Sequence, residues 1–244
     1  VYRSPIGLQL EFGWPAEGAV RYRVTAVVVG ATVGAALGIS GTLLQALLRN
    51  PLAEPFILGI SSGAGLGVMA AMFAVHQLGL TGWIADAYTL PAIIGGLATL
   101  AVVYGLGQRR GLLDPVSLVL VGVIVSSICG AGIMFFQHAV TTGLRSEFTL
   151  WLMGHIPQTV SPWTLGFTVG LTLLAAAWAC RMGGAMDVGT FGDDEARSVG
   201  LRLGRVRFLM FALAGTLAAT TVAVAGPIGF VGLVCPHAAR LVLG

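Results

Sequence analysis

The chain has 244 residues, 56% of them hydrophobic and only 9% charged, with a mean hydropathy of +0.90. So little charge cannot cover a water-soluble surface, which excludes a soluble globular domain and places the chain in a membrane. The formal net charge of +3 comes from arginine alone on the basic side; no cluster of it suggests DNA or RNA, so no nucleic-acid partner is expected.

In chain order, Val1 is not an initiator methionine, and Val1 to Val20 reads as a polar, Gly/Pro-containing loop with no signal peptide. The chain is therefore expected to be a fragment entered partway through. Val24 to Leu48 is uncharged and exceeds the roughly 20 residues a bilayer core requires, so it is the first expected span. Gly30, Gly34, Gly38 and Gly41 recur in it at about helical spacing, a small-residue face on which another helix can pack closely. Asn50-Pro51 and Glu54-Pro55 break the helix, because proline blocks its continuation and biases the preceding residue towards extended geometry.

A second span, rich in Gly and Ser, is expected from Phe56 to about Val75, and a third from about Pro91 to Leu106, closed by Gln108-Arg109-Arg110-Gly111. Asp114-Pro115 predicts an N-cap with proline at the first helical position, opening a fourth span to about Phe136. Gln137 to Ser161 is polar enough to leave the apolar core, and Ser161-Pro162 repeats the cap signature for a fifth span ending near Cys180. Arg181 to Arg207 is the most charged region, Phe208 to about Ala225 is a sixth span, and Gly226 to Gly244 begins a further helix, with Pro236-His237 as its start.

An internal repeat organises these segments. Gly30, Gly41, Pro51 and Gly59 correspond to Gly215, Gly226, Pro236 and Gly244, each pair separated by 185 positions. Two related halves are a common transporter architecture. If Arg49 faces the cytoplasm, so do Arg109, Arg110, Arg181, Arg197, Arg202, Arg205 and Arg207, while Arg3, Arg21, Arg23, Arg145 and Arg240 fall on the other side. The excess favours this orientation, and an odd number of spans between the copies makes the repeat inverted. By the same logic, roughly a hundred further residues of the second half should follow Gly244.

No carboxylate lies in mid-span, whereas ion-coupled carriers place costly ionisable groups there. The acidic residues gather instead in Gly192-Asp193-Asp194-Glu195-Ala196-Arg197-Ser-Val-Gly200. The acids suit the first turn of a short helix and Gly200 its stop, giving a candidate docking surface. His76, His138, His155 and His237 have no convergent ligand partners in the pattern, and Cys129, Cys180 and Cys235 lack metal-site spacing, so no metal is expected.

Gln45 through Asn50-Pro51-Leu52-Ala53-Glu54-Pro55 to Leu58-Gly59-Ile60-Ser61-Ser62-Gly63-Ala64 resembles the signature of FecCD-type permeases, the membrane subunits of type II ABC importers for iron-siderophores, haem and cobalamin. Trp151-Leu-Met-Gly154, Gly192 to Gly200, and Gly226-Pro-Ile-Gly-Phe through Pro236-His237 to Arg240 resemble further blocks of that family in the same order. The resemblance implies an all-α, multi-pass permease fold, with six to seven spans present of about ten, in the bacterial inner membrane. Residues 1–244 would be a single permease domain: 24–180 the first repeat half with a linking span, 181–207 the cytoplasmic coupling segment and 208–244 the start of the second half.

It further implies a non-catalytic subunit that pairs with a second copy, two cytoplasmic ATP-binding subunits and an extracytoplasmic substrate-binding protein. No cofactor is expected in this subunit; ATP and Mg2+ would sit in the partner ATPase. Gly192 to Gly200 would couple to that ATPase, with Asp193, Asp194, Glu195 and Arg197 in polar contact, and the Asn50 to Pro55 turn would share the same face as structure. The family commonly places Arg-x-Pro-Arg before the first span here to dock the binding protein. This chain departs from it with Arg21-Tyr22-Arg23. Two other readings exist: an ion-coupled carrier, and a rhomboid-like serine protease suggested by Gly38-Ile39-Ser40-Gly41.

Overall fold

The computed structural model describes residues 2–4, 7–9, 17–78, 88–109, 111–190, 193–198 and 200–243. An antiparallel hairpin of β1 (Tyr2–Ser4) and β2 (Gly7–Gln9) precedes α1 (Glu17–Leu48), so the loop expected over 1–20 is part strand and part helix. At 1.5 Å per residue, the 32 residues of α1 run about 48 Å. That exceeds a bilayer core of roughly 30 Å, so its charged N-terminal turns can stand outside. Charge ends the apolar stretch here without ending the helix.

After α1 come a 3-10 turn (Pro55–Leu58), α2 (Ile60–Gln77) and α3 (Thr89–Leu106). The expected second span is thus offset at Gly59, which has φ 77° and closes the 3-10 turn before α2 begins. A two-residue hairpin, β3 (Gln108–Arg109) with β4 (Leu112–Leu113), leads to α4 (Pro115–Ala139), capped by Asp114 as expected. The polar stretch after α4 holds an unanticipated helix, α5 (Thr142–Leu152). Next, α6 (Pro162–Thr190) runs ten residues beyond Cys180, because Arg181 turns back to its own helix and donates to Ala177 O at 3.3 Å. The chain closes with α7 (Asp193–Ser198), α8 (Leu203–Ala225) and α9 (Val231–Leu243).

Five helices among the described residues are long and apolar enough to cross a membrane: α1, α3, α4, α6 and α8. α2 falls outside that set because, at 18 residues, its single window takes in the polar His76 and Gln77. Its glycines have a packing use. A Cβ at Gly67 would lie 2.2 Å from Pro91 O, and one at Gly95 the same distance from Gly63 O, so the α2 and α3 backbones touch where only hydrogen fits.

α8 is central: 67% of its apolar window is buried, against 22% for α4 and 17% for α6, whose exposed Leu, Ile, Met and Phe side chains suit lipid. It runs antiparallel to α1, since Leu43 and Leu44 cluster with Met210 and Phe211 while Val29 and Val33 cluster with Ala225. Ser40 and Ala225 are related by the 185-residue offset, as are Val29 and Ala214, so the two copies cross each other in opposite directions as the inverted repeat requires. They diverge at one point. α1 runs on through Gly41 and Thr42, but α8 stops at Ala225, because Gly226 takes φ 70° and Pro227 cannot continue a helix.

The restart is at Val231, not at Pro236-His237 as expected; Pro236 lies inside α9. Its missing N–H leaves the Gly232 carbonyl, four residues back, without a helical donor. That carbonyl faces α1, and a Cβ on Gly41 would lie 1.8 Å from it. Gly41→Ala should therefore separate α1 from α9 and lower stability by about 1–3 kcal/mol. Gly34→Ala, with nothing within 4 Å, should be neutral or stabilise by about 0.5–1 kcal/mol. Thermal unfolding in detergent decides; equal effects would mean that the α1–α9 approach is not close.

Candidate functional site

The end of α1 sets the site. Asn50 N donates to Gln45 O at 3.1 Å, a C-terminal cap that requires the residue before Asn50 to be left-handed, and Arg49 occupies it with φ 51°. A non-glycine residue there costs roughly 1–2 kcal/mol. Asn50 to Ala53 then turns through Pro51, with Leu52 N donating to Asn50 Oδ1 at 2.9 Å and Ala53 N to Asn50 O at 3.0 Å. Glu54 and Pro55 open the 3-10 turn.

Beside this turn sits α7. Gly200 has φ 78° and Leu201 N donates to Ala196 O at 3.1 Å, so Gly200 is the helix stop expected of it. Ala196 is fully buried. Asp193 faces inward: its Oδ1 accepts from Arg49 Nη2 and from Arg207 Nη2, both at 2.7 Å. Arg207 is 5% exposed, too buried to stay unpaired, and its Nη1 also donates to Leu113 O at 3.1 Å. One carboxylate thus ties the end of α1 and the start of α8 to α7, and Arg207 adds the β3–β4 hairpin. Gly192 lies outside the described residues, as do the side chains of Asp194, Glu195 and Arg197.

Partial burial alone would raise the Asp193 carboxyl, but hydrogen bonds and charge from Arg49 and Arg207 outweigh it and hold the group below the usual carboxylate range. Next to the hairpin, hydrogen bonds from the Ser117 hydroxyl and N–H lower the Asp114 carboxyl too. The clasp of Arg49 and Arg207 on Asp193 was not read from the sequence. Its only signal was Arg207 at the edge of an apolar helix, within reach of an acidic cluster.

The two repeat copies also meet here. Arg240 Nη2 donates to Gln45 Oε1 at 2.8 Å, and Phe230 N donates to the Glu54 carboxylate. Counted through the 185-residue offset, Phe230 stands where Gln45 does and Arg240 where Pro55 does. The two links are therefore one contact made twice: position 45 of each copy meets position 54 or 55 of the other. Arg240 shares a cavity with Gln45, Arg49 and Asp187. It belongs to the Arg49 end, contrary to the far-side placement read from span counting, because α9 folds back across α1 at Gly38 and Gly41 without leading away.

At the opposite end, Trp151-Leu-Met-Gly154 meets the turn at Gly226. A Cβ on Gly226 would lie 2.6 Å from Trp151 O, and His155 N donates to Ala225 O at 2.8 Å. Tyr88 donates to Glu147 at 3.0 Å; burial, then Glu147, pushes its phenol up to about 12. Arg21 and Arg23 are exposed on the first turns of α1 itself, not ahead of it, and Arg21 lines a small cavity with Gln158 and Thr159. Ser40 is fully buried and its Oγ donates to Ala214 O at 2.6 Å, which makes it a tie between α1 and α8. Among the described residues, no group of three His, Cys, Asp or Glu is placed to hold a metal ion.

A family model described as the FecCD transport family matches residues 15–244. The chain belongs to the FecCD transport family. Relatives include the cobalamin import system permease protein BtuC of Halobacterium salinarum, 35% identical over 96% of this chain and 62% of that protein. The Fe(3+)-citrate import system permease protein YfmE of Bacillus subtilis is 30% identical over 92% of this chain and 65% of its own length. A solved structure of a metal-chelate type ABC transporter in an inward-facing conformation superposes with a TM-score of 0.81 at 28% identity, covering 93% of this chain and 71% of that one. PsaBC from Streptococcus pneumoniae, at 17% identity and a TM-score of 0.53 over 83% of this chain and 65% of that one, shares the fold alone. This FecCD chain spans about three-fifths of the length of the curated relatives it matches.

The carboxylate of the clasp makes a pH prediction. The folded pKa of Asp193 is depressed, so its contribution is fully present above the unfolded value of about 3.9 and is lost as pH falls through the lower folded value. Its side chain is 37% exposed and partly screened, so Asp193→Asn should cost roughly 1 kcal/mol near neutral pH. The gap between wild type and Asp193→Asn in thermal midpoint should hold through mildly acidic pH and close below about pH 4. A gap that stays constant to lower pH would mean that charge is not what holds the clasp.

Proposed function

We propose that this chain is the membrane-spanning permease of an ABC importer for a metal chelate, working as a pair of copies with two cytoplasmic ATP-binding subunits and an extracytoplasmic binding protein. The observation that carries this reading is the family match over residues 15–244, together with relatives whose names give cobalamin and ferric citrate as cargo. The subunit itself carries out no chemistry in this reading; ATP and Mg2+ act in the partner.

α7 is the seat for the ATPase. It is short and capped, its buried Ala196 and inward Asp193 anchor it, and Asp194, Glu195 and Arg197 are the residues assigned to polar contact. ATP-driven closure of the ATPase pair would displace α7 and, with it, the ends of α1 and α8. Access would then alternate across the membrane through a weakly polar route suited to a bulky chelate. On the far face, exposed Arg21 and Arg23 offer cations to acids on a binding protein.

Full-length permease should co-purify with the ATP-binding subunit encoded beside it, and Asp194→Lys with Glu195→Lys should release that subunit while the permease stays folded. Proteoliposomes of the complex, tested with cyanocobalamin and with ferric citrate, should take up one of them only with ATP inside the ATPase compartment. Uptake that persists without any ATPase would favour an ion-coupled carrier and sink the assignment of α7.

A further inference from the structure

Two non-glycine residues among the described ones have positive φ, Arg49 at 51° and Phe230 at 67°, and both are tied to the same turn. Arg49 starts it, and its guanidinium reaches Asp193 on α7; Phe230 precedes α9 and gives its N–H to Glu54 within it. Glycine serves at the positive-φ helix ends Gly59, Gly154 and Gly200, so the backbone gains nothing from arginine at 49. What arginine adds is reach to α7. Strained residues persist where the surroundings over-determine them, often in segments that switch.

We propose that Arg49 is a positioning residue that passes displacement of α7 to the Asn50–Pro55 turn and, through Glu54, to the start of α9. This rests on the importer reading, in which α7 is the element the ATPase moves. Arg207, the other arginine on Asp193, leads instead to α8 and the β3–β4 hairpin. The path through Arg49 is short and made of one charged contact at 2.7 Å and a hydrogen-bonded turn. Gly232 packs against both Pro55 and the α1 backbone, so movement of the turn changes the α1–α9 crossing.

That crossing can be read directly. A Cβ at Gly38 would lie 3.4 Å from Cys235 Cβ, close to disulfide geometry, so Gly38→Cys should pair with the native Cys235 on oxidation. In the full-length permease assembled with its ATPase, trapping with Mg-ATP and vanadate should change the rate of that disulfide about fivefold or more, the lower end of ordinary couplings. Arg49→Gly accepts the left-handed backbone, so thermal midpoint and ATPase co-purification should be unchanged or improved, and the nucleotide response should vanish. Glu54→Ala should abolish the response as well, with α7 still docked.

A wild-type response in either variant overturns the relay, and so does loss of the ATPase from Arg49→Gly, which would make Arg49 an assembly residue. The Gly38→Cys parent separates this idea from the one beneath it. If the parent binds no ATPase, the importer reading fails; if it binds the ATPase but gives no nucleotide response, the relay fails alone.

Discussion

Between helices in lipid there is no hydrophobic force to spend, and backbone proximity takes its place. The fold depends on a few crossings where a methyl group would not fit: Gly41 on Gly232, and Gly63 and Gly67 on Pro91 and Gly95. These crossings bring α2 against α3 and α9 against α1. The long apolar side chains of α4 and α6 then remain for the periphery.

Upon that frame three polar contacts stand near the end of α1. Asp193 carries two arginines, Gln45 meets Arg240, and Glu54 meets the backbone of Phe230. All three gather at the end of α1. In a low-dielectric setting a buried arginine such as Arg207 demands a partner, and that demand draws α7, α8 and the β3–β4 hairpin into one cluster.

The reciprocal contacts also join motif blocks that lie far apart in the chain. Position 45 of each copy faces position 54 or 55 of the other, so the residues Gln45, Glu54, Phe230 and Arg240 form one contact built twice. The copies are not interchangeable. Pro227 halts α8 where Thr42 lets α1 continue, and the resulting gap receives Gly154 and the start of the next segment.

Much of this was legible from residues alone. Hydropathy marks the spans, because crossing a bilayer imposes length and apolarity locally; Asp114-Pro115 and Gly200 mark helix ends, because capping is settled within a few residues; and the 185-residue offset exposes the repeat. The helical start at Glu17, the extension of α6 to Thr190, α5 and the restart at Val231 were not legible, since charge and proline are permitted inside helices once neighbours supply the contacts. The side of Arg240 and the inward turn of Asp193 belong to tertiary structure alone. Each depends on where another helix passes, and no local pattern in the chain encodes that crossing.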